Sequence, residues 1–147
     1  MNRFLKNPHL AFFIAVPIIL LLGVFGGDST LDINVHDTYF VIANPSVAMF
    51  IAVFFGMLGG GYWIIQTVGG KLSTWLSAIH IFITIGGILA AFSVPFFIFG
   101  SHSESSFPMY DEVALKNQIL AFIIVIILFG QLLYLVHLVL AIVRKKR

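Results

Sequence analysis

His80 and His137 are the residues whose type best suits chemistry inside the long apolar stretches of this chain. Histidine serves as an acid–base group and as a ligand to metals and haem iron. Polar groups within apolar spans are costly, so they are natural candidates for function. Each lies about seven residues from one end of its stretch, roughly 10 Å deep at helical rise. Two histidines at one depth on consecutive helices could hold a haem as axial ligands, which would make the chain an electron carrier. They could equally hydrogen-bond to each other, to Gln131 or to backbone. Nothing nearby is suited to hold haem propionates, which weighs against that cofactor. A second pair, His36 and Asp37, is adjacent in a polar segment and followed by Thr38 and Tyr39. It could contribute to a divalent-cation site, but two ligands from one chain make a weak site. The plainer reading is a polar helix start, with Asp37 or Thr38 as its cap.

Other chemistry is excluded by what the sequence lacks. There is no cysteine, so disulfides, thiolate metal sites and iron–sulfur clusters are ruled out. No nucleophile–base pairing, phosphate loop or zinc spacing occurs. No apolar stretch holds Asp, Glu, Lys or Arg near its centre, which argues against an ion-coupled transporter or proton pump. No catalytic residue is expected, and the chain is not expected to be an enzyme.

The elements that must position these residues are membrane helices. Of the 147 residues 60% are hydrophobic and only 10% charged, too few charges for a surface wet all round. Four apolar runs are expected to span a bilayer, at about residues 10–25, 40–68, 72–99 and 113–143, since a span needs about 20 residues. The expected fold is an all-α integral membrane bundle of four transmembrane helices, forming one domain over residues 1–147. The first run resembles a signal peptide, but Gly26-Gly27-Asp28 is a poor cleavage site and an uncleaved span is expected.

Charge sets the expected orientation. Asp28–Asp37 holds three acids and no base, and Ser101–Lys116 holds three acids and one Lys. The segments Met1–Lys6, Gly69-Gly70-Lys71 and Arg144-Lys145-Lys146-Arg147 are basic. The positive-inside rule puts these three segments, and so both termini, in the cytoplasm. In a bacterial cell the chain would be a multi-pass protein of the inner membrane. The basic tail is expected to meet anionic membrane lipids and not nucleic acid. Ala52, Gly56 and Gly60 recur every four residues, a spacing that lets a neighbouring helix come close. They are expected to pack within the bundle, with a homo-oligomer seam as the alternative.

The stretch Leu31-Asp-Ile-Asn-Val-His-Asp-Thr-Tyr-Phe-Val-Ile-Ala43 resembles subunit I of the haem–copper (cytochrome c and quinol) oxidases, in which a His-Asp-Thr-Tyr motif opens the tenth helix. Gly59-Gly60-Gly61-Tyr62-Trp63 and Gly70-Lys71-Leu72-Ser73 are similar to the end of that helix and its inner turn. Ile79-His80-Ile81-Phe82 and Gly130-Gln131-Leu132-Leu133-Tyr134-Leu135 are similar to the eleventh and twelfth helices, and Leu21–Gly27 to the end of the ninth. The resemblance implies the last four helices of that subunit, in order and with the same orientation.

It also implies which equipment is lost. The family's histidine–aromatic–histidine haem ligands fall at Asn44, Pro45 and Ser46, and no arginine stands at Glu104–Ser106 where its propionate-holding pair would fall. The copper ligands belong to earlier helices with no counterpart in these residues. His36 and Asp37 match the family's outer magnesium site, which a carboxylate from another subunit completes. His80 matches a histidine that is not a metal ligand, and His137 stands where asparagine is common. The expectation is a non-catalytic accessory or assembly subunit of an aerobic respiratory complex, partnered by other subunits of that complex. A haem carrier using His80 and His137, or an independent homo-oligomeric scaffold or pore, are the alternatives.

Overall fold

A computed structural model describes residues 6–26, 30–35, 38–99 and 110–145. The chain forms a bundle of four membrane helices plus one short β-hairpin. Helix α1 is Pro8–Phe25, strands β1 and β2 are Thr30–Val35 and Thr38–Ala43, and α2 is Asn44–Thr67. The third span is composite: α3 (Thr74–Ile81), a π-helical turn (Phe82–Gly86) and α4 (Gly87–Phe99). The fourth span is α5, Tyr110–Lys145. Four helical stretches are long and apolar enough to cross a membrane: Pro8–Phe25, Asn44–Thr67, Thr74–Val94 and Ala114–Arg144.

The second span starts later than expected. Residues 40–43 belong to β2, which pairs antiparallel with β1 from Thr30↔Ala43 to Val35↔Thr38. Strand β2 carries the β-branched residues Thr38, Val41 and Ile42, which suit a strand and pair with Val35, Asp32 and Leu31 respectively. Pro45 then sits in the first helical turn, where its fixed φ fits and its missing N–H removes no helical bond. Pro8 does the same for α1. The third helix begins at Thr74, two residues past expectation, because Gly69 at φ 80° turns the chain between α2 and α3.

The bundle is apolar outside, and its largely apolar core encloses a few polar side chains. Phe25, Phe50, Trp75, Phe82 and Phe122 are exposed, whereas Ser77, His80, Thr84 and His137 are buried. Lipid solvates the outside, so close packing and interhelical hydrogen bonds hold the helices together. Helix α1 packs chiefly on α2, and α5 on α3 and α4; contacts of α1 with α3 and of α2 with α5 join the two pairs. The resulting ring places α2 and α3 diagonally across the axis.

Glycines mark the closest approaches, but not those expected. A Cβ at Gly23 would strike Ala48, one at Gly59 would lie 2.8 Å from Phe13, and one at Gly61 would strike the Tyr134 hydroxyl. Gly87 and Gly130 are similarly crowded, each 2.8 Å from Ile127 and Ile83 respectively. Ala52 is buried. At Gly56 and Gly60, however, a Cβ would meet nothing within 4 Å. The expectation that these two glycines line a seam within the bundle is therefore corrected. Close approach falls instead at Gly59, which faces α1 at Phe13, and at Gly61, which on a different side of the helix faces α5 at Tyr134.

Candidate functional site

One aromatic residue from each span meets at the bundle axis: Phe12 from α1, Tyr62 from α2, His80 from α3 and Tyr134 from α5. All are buried. Phe12 stacks on Tyr62 at 6.0 Å and lies 5.3 Å from His80 between ring centroids. Tyr134 stacks on His80 at 4.9 Å and meets Tyr62 edge-on at 5.0 Å.

Hydrogen bonds thread this layer and fix its protons. Tyr62 Oη and His80 Nδ1 are 3.0 Å apart, and His80 Nε2 and Gln131 Oε1 are 3.3 Å apart. Gln131 Nε2 donates to the Ile127 carbonyl at 3.0 Å and to Thr84 Oγ1 at 3.2 Å. A carbonyl only accepts, so the Gln131 amide nitrogen lies on that side and its oxygen faces His80. The neutral imidazole therefore carries its proton on Nε2, and Nδ1 accepts from the Tyr62 hydroxyl. Tyr134 Oη donates to the Leu58 carbonyl at 3.1 Å, tying α5 to α2.

The π turn lies inside this network. It begins two residues after His80 and contains Thr84, and both of these residues reach Gln131. A π turn inserts one extra residue into a helix, a feature often found at functional positions. In this chain it brings a buried threonine to the amide while Phe82 is turned outward.

His137 lies nearer the end that carries the α2–α3 turn. Its Nε2 accepts from the Ser73 backbone N–H at 2.9 Å, which puts the proton of the neutral ring on Nδ1. That Nδ1 and Ser77 Oγ are buried without a hydrogen-bond partner among the described residues. At the same end Gln66 accepts from His9 at 2.6 Å and donates to the Lys6 carbonyl at 2.8 Å, fastening α1 to α2.

The haem reading of His80 and His137 does not fit this geometry. Both ring nitrogens of His80 and the Nε2 of His137 are engaged by protein groups. The Tyr62 ring also packs against both imidazoles, 5.7 Å from one and 5.8 Å from the other between centroids. An axial pair needs two nitrogens facing a flat macrocycle, and both rings pack against a phenol instead. The hydrogen-bonding alternative describes both residues. His36 and Asp37 lie outside the described residues. Among those described, no three His, Cys, Asp or Glu side chains gather into a metal-holding group.

Asn44, Pro45 and Ser46 form the first turn of α2. The last turn of α1 lies flush against it: a Cβ at Gly26 would be 3.2 Å from Asn44 Nδ2, and one at Gly23 would be 3.5 Å from Pro45 Cα. The glycine backbone of α1 packs closely on the first turn of α2 at this position.

Sequence reasoning singled out His80, His137 and Gln131 but gave no site role to Tyr62, Thr84, Ser77 or Tyr134. The signal was present in the spacing. Thr84 follows His80 by four residues and Tyr134 follows Gln131 by three, so each pair lies on one helical face.

No family model and no solved structure matches the chain. Among curated proteins, cytochrome c oxidase subunit 1 of Thermostichus vulcanus is 37% identical over 68 residues, covering 46% of this chain and 12% of that protein. Cytochrome c oxidase subunit 1 of Corynebacterium diphtheriae is 35% identical over 75 residues, covering 50% of this chain and 13% of that protein. The matched stretches span about an eighth of the length of these relatives. Fold and site together define a multi-pass helical membrane protein with a buried aromatic and polar layer. Its partial similarity is to subunit 1 of cytochrome c oxidase, a distant relationship.

Proposed function

We propose that this chain is a non-catalytic, oxidase-related membrane protein that serves as an accessory or assembly subunit of an aerobic respiratory complex, in the inner membrane if the cell is bacterial. The observation that carries the reading is the pairing of subunit 1 similarity over about half the chain with the loss of haem-ligand residues at Asn44-Pro45-Ser46. Neither an amide, a proline nor a hydroxyl replaces imidazole on haem iron. The tightly packed α1–α2 contact at those positions supports it, as does a polar layer whose ring nitrogens bond other helices.

In this reading the layer sets helix register. A buried, satisfied hydrogen-bond network favours one arrangement of the four spans over its neighbours, and a partner subunit then docks on a defined surface. The test is purification of tagged protein from its native membrane in mild detergent, with an optical spectrum and identification of what accompanies it. Oxidase subunits alongside, with all haem assigned to them, are expected. Pure chain without partner or haem would overturn the accessory role.

The open stripe at Gly56 and Gly60 favours a second reading, a homo-oligomeric scaffold joined through α2. A defined oligomer that Gly56→Leu or Gly60→Leu dissociates would establish it.

A further inference from the structure

The bundle end that carries the α2–α3 turn gathers cations, and among the described residues no acid lies there to balance them. Lys6 is held there through its carbonyl, which accepts from Gln66. The Lys71 N–H donates to the Ala141 carbonyl at 3.3 Å, placing Lys71 beside the last turn of α5. Arg144 follows Ala141 by three residues, so it projects from the same side of that turn. All three side chains are exposed.

The six acids of the chain are Asp28, Asp32, Asp37, Glu104, Asp111 and Glu112. In sequence they fall between α1 and α2 or before and within the first turn of α5, and the three in described elements, Asp32 in β1 and Asp111 and Glu112 at the start of α5, lie a span away from Lys71 and Arg144. Among the described residues nothing supplies the opposing charge for this rim.

The rim is also built and not merely a loose basic tail. Gly69 adopts φ 80°, and a Cβ at Gly70 would meet Ile65 Cγ2 at 2.5 Å and Ala141 O at 3.4 Å. The turn therefore lies directly on α5. A second tie, from the Ser73 N–H to His137, holds it there. Lys71 and Arg144 are presented together at the membrane boundary, where Trp63 and Trp75 stand exposed on either side of the turn in sequence. Tryptophan favours the headgroup level.

We propose that Lys71 and Arg144 form a binding site for the phosphate of an anionic phospholipid headgroup, seated in the crook between the α2–α3 turn and the end of α5. A guanidinium and an ammonium converging on one site suit a phosphate monoanion, the first by paired hydrogen bonds and the second as a point charge. Basic pockets between membrane helices are a known setting for such headgroups. The site requires only that the turn lies at the membrane boundary, and does not depend on which compartment it faces.

The test uses the full chain in detergent with two added lipids, phosphatidylglycerol and phosphatidylcholine, reading bound lipid by native mass spectrometry and the unfolding temperature in parallel. Retention of phosphatidylglycerol over phosphatidylcholine is expected, falling with added salt. Lys71→Ala with Arg144→Ala should reduce it roughly thirtyfold, about fivefold per basic residue. The charge-retaining exchange Lys71→Arg with Arg144→Lys should restore most of it and guards against a folding defect in the alanine pair. Equal retention of both lipids, or unchanged retention in the alanine pair, would overturn the site. Matching stabilisation by inorganic phosphate alone would assign it to the free anion, and loss of an acidic protein partner with lipid unchanged would assign it to that protein. Either result overturns the lipid proposal.

Discussion

Tyr62 and His80 face each other across the bundle axis, 3.0 Å from phenol oxygen to Nδ1, on two consecutive helices joined by the turn at Gly69. The direction of this bond follows from Gln131, because the amide fixes the proton of the ring on Nε2. A donor on the second span and an acceptor on the third are thus matched by a side chain on the fourth. Tyr62→Phe removes the donor and keeps the ring packing. Interhelical hydrogen bonds in membranes average about 0.6 and reach about 1.7 kcal/mol, so a loss of about 1 kcal/mol is expected in a denaturing-detergent titration. An unchanged midpoint would mean that the bond contributes no net stability.

Gln131→Leu should cost more, about 2 kcal/mol, because it strips partners from His80 Nε2 and Thr84 at once and buried polar groups left unpaired are penalised. The same titration measures it. A double-mutant cycle with Tyr62→Phe should show coupling, since both residues hold one imidazole. Strict additivity would show that the two bonds act separately.

Two adjacent glycines provide an internal control. Gly61→Ala drives a methyl into the Tyr134 hydroxyl and dislodges its bond to Leu58, so a destabilisation of about 1–3 kcal/mol is expected. Gly60→Ala meets open space and should be neutral or stabilising by up to about 1 kcal/mol from helix propensity. Reversal of that order would contradict the helix orientation.

The turn has its own test. At φ 80° Gly69 occupies the left-handed region, and Gly69→Ala should cost roughly 1–2 kcal/mol. Protease cutting at the turn in detergent should rise in parallel, because the ties from Lys71 to Ala141 and from Ser73 to His137 depend on it.

An optical experiment checks the cofactor argument. Purified chain given haem should show no axial-histidine spectrum, and His80→Ala should leave its absorbance as it was. A reduced-minus-oxidised band abolished by that substitution would restore the electron-carrier reading.

Much of the fold was legible because lipid imposes a simple rule on sequence. Long apolar runs must be helices, and four of them gave the bundle. Legibility failed at Thr38–Ala43, where an apolar, β-branched stretch suits a strand as well as a helix and only pairing with Thr30–Val35 decides. The packing glycines were misread for a related reason. Gly56, Gly59, Gly60 and Gly61 are alike in sequence, and their roles depend on where α1 and α5 lie. His80 and Gln131 stood out as polar residues in apolar runs. Tyr62 and Thr84 did not, because a tyrosine near a membrane boundary or a threonine in a span is unremarkable until its partner is placed.

The pairwise packing of the spans bears on how the protein is made. The bonds from Gln131 to His80, Thr84 and Ile127 all close within the C-terminal half, so that half enters the bilayer with most of its polar groups already matched. The N-terminal half enters first and carries one phenol, Tyr62, whose acceptor has yet to be synthesised. Until His80 arrives, that hydroxyl is a dangling donor in hydrocarbon, a mark by which a quality-control protease could distinguish a half-made chain from a finished one. Two tyrosine latches, Tyr62 on His80 and Tyr134 on the Leu58 carbonyl, shut only when the second pair of helices docks on the first.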